Sequence, residues 1–189
     1  QAKKPLIISI AAGIPLASID RWLGGNMAIV RAMPNTPALV QTGATGLYAN
    51  ATVTREQKQQ AEMILNAVGL TLWVDDEALI DSVTAVSGSG PAYFFYVMEA
   101  MIAAGCELGL DEKTARALTL QTALGSAQMA ITADVNPDEL RRRVTSKGGT
   151  TEQAVAAFDA ADLKGIFSQA LAACAAKGQE LAQVLGQQE

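Results

Sequence analysis

Leu6-Ile-Ile-Ser-Ile10, then Pro15 to Leu23, then Ala28-Ile-Val-Arg-Ala-Met33 form the stretch that decides the fold. Two short runs of β-branched and aliphatic residues flank a proline-opened helix, with Gly24-Gly25-Asn26 turning the chain between helix and second strand. That order predicts a compact β-α-β unit. Further along, Thr45 to Ala49 predicts another strand, and Thr54-x-x-Gln57 caps a helix running to Val68 with Gly69 as its stop. Leu70 to Val74 closes the strand-bearing part. Beyond Asp76 the pattern is helical, with stops or caps predicted at Gly88-Ser-Gly-Pro91, Gly109-Leu-Asp111, Asn136-Pro137 and Ser146-Lys-Gly-Gly149.

Composition narrows the possible chemistry. The chain has 189 residues, 50% hydrophobic and 17% charged, enough for one domain or two small ones. Its formal net charge of −5 argues against a generally basic surface for nucleic acid or anionic lipid. There is no histidine, which excludes Ser-His-Asp triads, Cys-His nucleophiles, His-ligated zinc and histidine acid/base catalysis. Cys106 and Cys174 stand far apart in apolar stretches, so neither a CxxC motif nor a disulfide framework is expected. Leu6 to Ile10 is too short for a secretory signal core. From Ser87 to Cys106 the only charge is Glu99, but placing it mid-bilayer costs about 2.5–3.5 kcal/mol, and no Lys/Arg cluster flanks the stretch. Pro91 to Gly109 therefore reads as a helix buried inside a helical domain or a subunit interface.

Parallel β-α-β units bind ligands at the carboxyl ends of their strands, here Ala11-Ala12-Gly13 and Pro34-Asn35-Thr36-Pro37. Small residues in the first loop would let a nucleotide approach the backbone, and two prolines would fix the direction of Asn35. Ordinary turns would read the same, and no GxGxxG opens the chain. In Ser146-Lys-Gly-Gly-Thr-Thr-Glu152, two glycines and two hydroxyls open a helix, a setting suited to a small carboxylate. A plain helix cap by Thr150 or Thr151 is the alternative. Arg141-Arg142-Arg143 face different directions and read mostly as a solvated face. Tyr93-Phe-Phe-Tyr96 reads as packing, and Asp75-Asp-Glu77 as the acidic first turn of the next helix.

Taken in order, Ala11-Ala-Gly13, Arg31-Ala-Met-Pro-Asn-Thr-Pro37, Gly43-Ala-Thr-Gly46, Ala85-Val-Ser-Gly-Ser-Gly-Pro-Ala-Tyr93 and Val144-Thr-Ser-Lys-Gly-Gly-Thr-Thr151 resemble pyrroline-5-carboxylate reductase across essentially the whole chain. The resemblance implies reduction of 1-pyrroline-5-carboxylate to proline with NADPH or NADH, the last step of proline synthesis. It also implies a cytoplasmic homodimer, able to assemble further, with no nucleic-acid or membrane partner. The fold class expected is α/β then all-α. Residues 1–75 would be the C-terminal part of a Rossmann-like parallel-sheet domain, and residues 76–189 a helical domain for dimerisation and substrate binding.

By the same resemblance, Ser146, Gly148, Gly149, Thr150 and Thr151 hold the substrate carboxylate, and the Thr151 hydroxyl lies near the ring nitrogen. Pro91 packs against the nicotinamide, with Ala11, Ala12, Pro34 and Asn35 on the cofactor side. Thr84, and less so Asp134, match positions considered as proton donors. Two departures stand out. The family's opening glycine-rich β-α-β is absent, so the chain is expected to be a fragment, inactive by itself, and Lys147 replaces the signature's usual proline. Two other readings stay open. One is a hydroxy-acid dehydrogenase of similar build, although Lys113, Lys164 and Lys177 sit in no catalytic motif; the other is a non-catalytic dimerisation module.

Overall fold

The computed structural model describes residues 5–186. Four strands form one sheet in the order β1 (Leu6–Ser9), β2 (Ala28–Met33), β3 (Gly43–Ala49) and β4 (Gly69–Trp73). β1 and β2 are parallel, joined over one face by α1 (Leu16–Trp22); β3 and β4 are parallel, joined by α2 (Arg55–Asn66). β3 runs antiparallel to β2, reached through a single 3-10 turn at Thr36–Val40. Two of the three pairings are thus parallel, in keeping with the expected α/β class.

Side chains alternate across a strand, and β2 shows what that does in a sheet covered on both faces. Val30 and Ala32 join Leu47 and Ala61 of α2 in one core; Ile29 joins Met27 and Leu16 of α1 in the other. Every residue of β2 is buried. α2 begins with a complete capping box, the Thr54 hydroxyl accepting from the Gln57 N–H and the Gln57 side chain accepting from the Thr54 N–H.

The helical part follows as α3 (Leu79–Val83), a π turn at Thr84–Gly88, α4 (Gly90–Glu107), α5 (Glu112–Thr132), α6 (Pro137–Arg143), α7 (Thr150–Ala160) and α8 (Leu163–Gly186). At Gly88-Ser-Gly-Pro91, where a stop or cap is expected, the π turn ends at Gly88 and α4 begins at Gly90. Composition changes at Asp76, just after the sheet ends at Trp73, whereas the chain divides into compact units at Pro91. The first unit takes the residues up to Pro91 and from Gln169 onward; the second runs from Ala92 to Ser168.

In the first unit α8 packs beside α1. The Gly186 carbonyl accepts from Ser18 Oγ and Arg21 Nη2, both at 3.0 Å. In the second, α4 and α5 approach closely at Gly105, where an added Cβ would lie 3.2 Å from that of Ala115. Large apolar side chains there stay exposed, among them Phe95, Tyr96, Leu108 and Ile131. A groove of about 500 Å³ runs between Phe95, Ile102 and Cys106 of α4 and Arg116 and Leu120 of α5. No helix among the described residues is long and apolar enough to cross a membrane.

Candidate functional site

In the first unit, the register pairing Ser9 with Arg31 makes the loops after β1 and β2 leave the same edge of the sheet. Ala11 and Ala12 are exposed there, and the Ala11 N–H donates to Ser9 Oγ at 3.3 Å. Gly13 adopts φ +70 and is buried; a Cβ on it would lie 3.1 Å from Leu181 Cβ of α8, so both conformation and space call for glycine. Pro34 and Asn35 are half-buried. The Asn35 amide is used on both sides: Oδ1 accepts from the Ala44 N–H at 2.9 Å, and Nδ2 donates to the Ser87 carbonyl at 3.0 Å. That bond places the motif after β2 against the π turn.

Thr84 opens the π turn, and its hydroxyl donates to the Ile80 carbonyl at 2.8 Å, leaving its lone pairs to accept. Pro91 is the second residue of α4 and half-buried. A separate apolar cavity of about 600 Å³ lies between Leu70 and Leu72 of β4 and Val83 and Val86; it is lined by none of the motif residues assigned above to cofactor or proton transfer.

In the second unit, Gly149 is the N-cap of α7 and supplies no side-chain cap, so Thr150 and Thr151 occupy the first two helical positions. Neither threonine caps the helix. Two loop N–H groups are satisfied internally: that of Gly149 by the Ser146 carbonyl at 3.0 Å, and that of Gly148, at φ +74, by Glu152 Oε2 at 2.8 Å. A helix leaves the N–H groups of its first turn without intrahelical partners. Those of Thr150, Thr151 and Glu152 are therefore the donors left at this end, together with two exposed threonine hydroxyls that have no partner among the described residues. Such first-turn N–H groups, at the positive end of a helix dipole, suit a carboxylate.

Upstream, Arg142 pairs with Asp138 and Glu139, and Arg143 with Glu139, all on exposed α6. Asp134 is exposed in the connection between α5 and α6. Glu152, whose role the sequence reading misses, stands third in α7 and caps the loop through the Gly148 N–H, a carboxylate at that helical position being a familiar cap signal. Glu77 is more than a first-turn acid: its Oε1 accepts from the Leu16 N–H at 2.8 Å and from Arg31 Nη1 at 3.0 Å. Among the described residues no acidic or cysteine cluster could hold a metal ion.

The family description "Pyrroline-5-carboxylate reductase dimerisation" matches residues 77–181. The pyrroline-5-carboxylate reductase of Pseudomonas aeruginosa is 60% identical over 188 residues, covering 98% of this chain and 69% of that protein. The chain belongs to the pyrroline-5-carboxylate reductase family. The reductase of Pasteurella multocida is 48% identical, with 93% of this chain and 64% of that protein covered. The chain thus spans about two thirds of the length of these curated relatives.

Solved reductase structures agree. That from Coxiella burnetii superposes with a TM-score of 0.93 at 49% identity, covering 96% of this chain and 67% of that one. The Plasmodium falciparum reductase, with NADP bound, gives 0.87 at 31% identity, covering 94% and 70%. Position 147, where the resemblance leads one to expect proline, holds lysine. That lysine is exposed, in a loop whose bend is made by Gly148.

Proposed function

We propose that the intact protein reduces 1-pyrroline-5-carboxylate to L-proline, the last step of proline biosynthesis, with NADPH or NADH as reductant. The observation that carries this is the 60% identity to a reductase along 98% of the chain. The chemistry is within reach of these residues without histidine. A protonated cyclic imine is already electrophilic, so reduction needs alignment, a seat for the carboxylate and a hydrogen-bond partner at nitrogen. When bound, the dihydronicotinamide supplies the hydride that ends on the imine carbon.

The exposed Ala11 and Ala12 at the carboxyl end of β1 leave room for a nucleotide near the backbone, and with Pro34 and Pro91 they are the residues that would hold the cofactor, on the side where Asn35 braces the loop after β2. The Thr150 and Thr151 N–H groups take the substrate carboxylate, on a loop shaped by Ser146, Gly148 and Gly149. The Thr151 hydroxyl, free of other partners among the described residues, serves the ring nitrogen. Thr84 is the further residue assigned to proton transfer, its hydroxyl oriented by the Ile80 carbonyl.

The protein works as a homodimer through its helical part, assembling further where dimers meet, and in the cytoplasm. The dimerisation match and the exposed apolar side chains of α4 and α5 support that assembly. The test is pyrroline-5-carboxylate-dependent oxidation of NADPH by the purified intact protein, with proline identified as product. Cofactor oxidation without proline would refute the reading.

A further inference from the structure

In a regular helix the Ser87 carbonyl would take the N–H of the residue four further on. That residue is Pro91, which has no N–H and whose ring crowds the same carbonyl. The chain answers in two ways. A π turn widens the helix just ahead of the proline, with the Ser89 N–H donating to Thr84 five residues back at 2.8 Å. The freed Ser87 carbonyl then receives Asn35 Nδ2 at 3.0 Å, while Asn35 Oδ1 holds the Ala44 N–H at 2.9 Å.

We propose that Asn35 is a positioning residue, which ties Pro34 after β2 to the Pro91 turn by supplying the hydrogen bond that proline denies Ser87. The inference rests on the assignment of Pro34 and Pro91 to the cofactor side. Among the described residues, Asn35 is the one side chain that bonds the loop carrying the first to the turn carrying the second. Its loss would therefore disturb alignment more than binding.

The sharpest probe is Asn35→Asp in the intact protein: an oxygen can still accept from Ala44, but another oxygen now opposes the Ser87 carbonyl. The partner variant is Pro91→Ala, which restores an N–H that Ser87 can accept. Thermal unfolding is measured for both single variants and the double variant, and kcat and NADPH affinity for wild type and Asn35→Asp.

Asn35→Asp is expected to lower the melting temperature by at least about 3 °C, an ordinary shift for one hydrogen bond in a domain of this size. Pro91→Ala should cost less, or even stabilise, in the Asn35→Asp background. Should Asn35→Asp alone not fold, recovery of folded protein in the double variant is the same result. On the catalytic side kcat should fall about tenfold or more, with NADPH affinity held within about threefold.

Additive stability changes would overturn the proposal. So would NADPH affinity weakening in step with kcat, because the amide would then be a direct cofactor contact. If the wild-type protein reduces no pyrroline-5-carboxylate, the functional reading fails on its own, and the stability coupling still decides the positioning role.

Discussion

Glu77→Ala removes the one carboxylate oxygen that serves both the start of α1 and the buried guanidinium of β2. The Arg31 side chain is 5% exposed and lies 3.0 Å from that oxygen; the Glu77 side chain is 27% exposed. Breaking a fully buried pair on one side typically costs about 3–5 kcal/mol, because a charge is left without a partner. Here water reaches the glutamate, and the Asp81 carboxylate still acts on Arg31, so the low end applies, about 2–3 kcal/mol. The Leu16 N–H, left without its acceptor, adds about 1 kcal/mol. The expected loss is about 3–4 kcal/mol by these sums, against about 1–2 for Glu77→Gln, which keeps the acceptor and drops the charge.

Urea unfolding of the intact protein without cofactor reads this directly. Arg31→Met in the Glu77→Ala background should recover part of the loss, since an apolar side chain needs no counter-ion. A loss below about 0.5 kcal/mol for Glu77→Ala, in the range of ordinary surface changes, would refute the reasoning. Equal losses for alanine and glutamine would show that the acceptor kept by glutamine contributes nothing and that the charge carries the whole effect.

Three further outcomes follow from local geometry. Gly69→Ala should be severe, about 3 kcal/mol or more by chemical denaturation, because φ is +149 and a Cβ would overlap the Gly43 backbone across the β3–β4 pairing. Thr54→Ala should cost about 1 kcal/mol, since it removes the hydroxyl half of the α2 capping box. Burial raises the Asp81 carboxyl above its ordinary value, with Arg31 pulling it down and Glu77 pushing it up. The folded state then holds that proton more tightly than the unfolded one, so stability falls as pH rises from the ordinary carboxylate value through the raised one. Asp81→Asn should therefore raise the melting temperature at neutral pH, a gain that disappears in acid.

Much of this architecture is legible in the chain itself, for identifiable reasons. β2 is read to the residue because Ala28 to Met33 is uninterrupted and bounded by turn residues; α2 is read from its cap, ending two residues early at Asn66. Strand direction is another matter: Gly43 to Ala49 has the same pattern whichever way it pairs, and only the tight 3-10 connection makes it antiparallel to β2. The glycines around Ser89 suggest a break, yet a π turn absorbs Pro91 because Asn35, 52 residues from Ser87, completes the hydrogen bonding. Glu77 looks like a first-turn acid because its partners lie 46 and 61 residues away. In the Ser146–Thr151 loop the motif is visible, but not that Glu152 and the Ser146 carbonyl take the two glycine N–H groups and leave only the first-turn donors of α7 open.

The loop's role is tested most directly by Thr151→Ala in the intact protein, with steady-state kinetics, NADPH affinity and melting temperature measured on one preparation. Loss of one hydrogen bond to a charged substrate group is worth about 1.5–3 kcal/mol. kcat/KM for 1-pyrroline-5-carboxylate should accordingly fall about 10- to 150-fold, with cofactor affinity nearly unchanged. Since Gly149, not Thr151, is the N-cap, the melting temperature should also hold. A destabilised variant with unchanged kcat/KM would contradict the placement of the substrate at this loop.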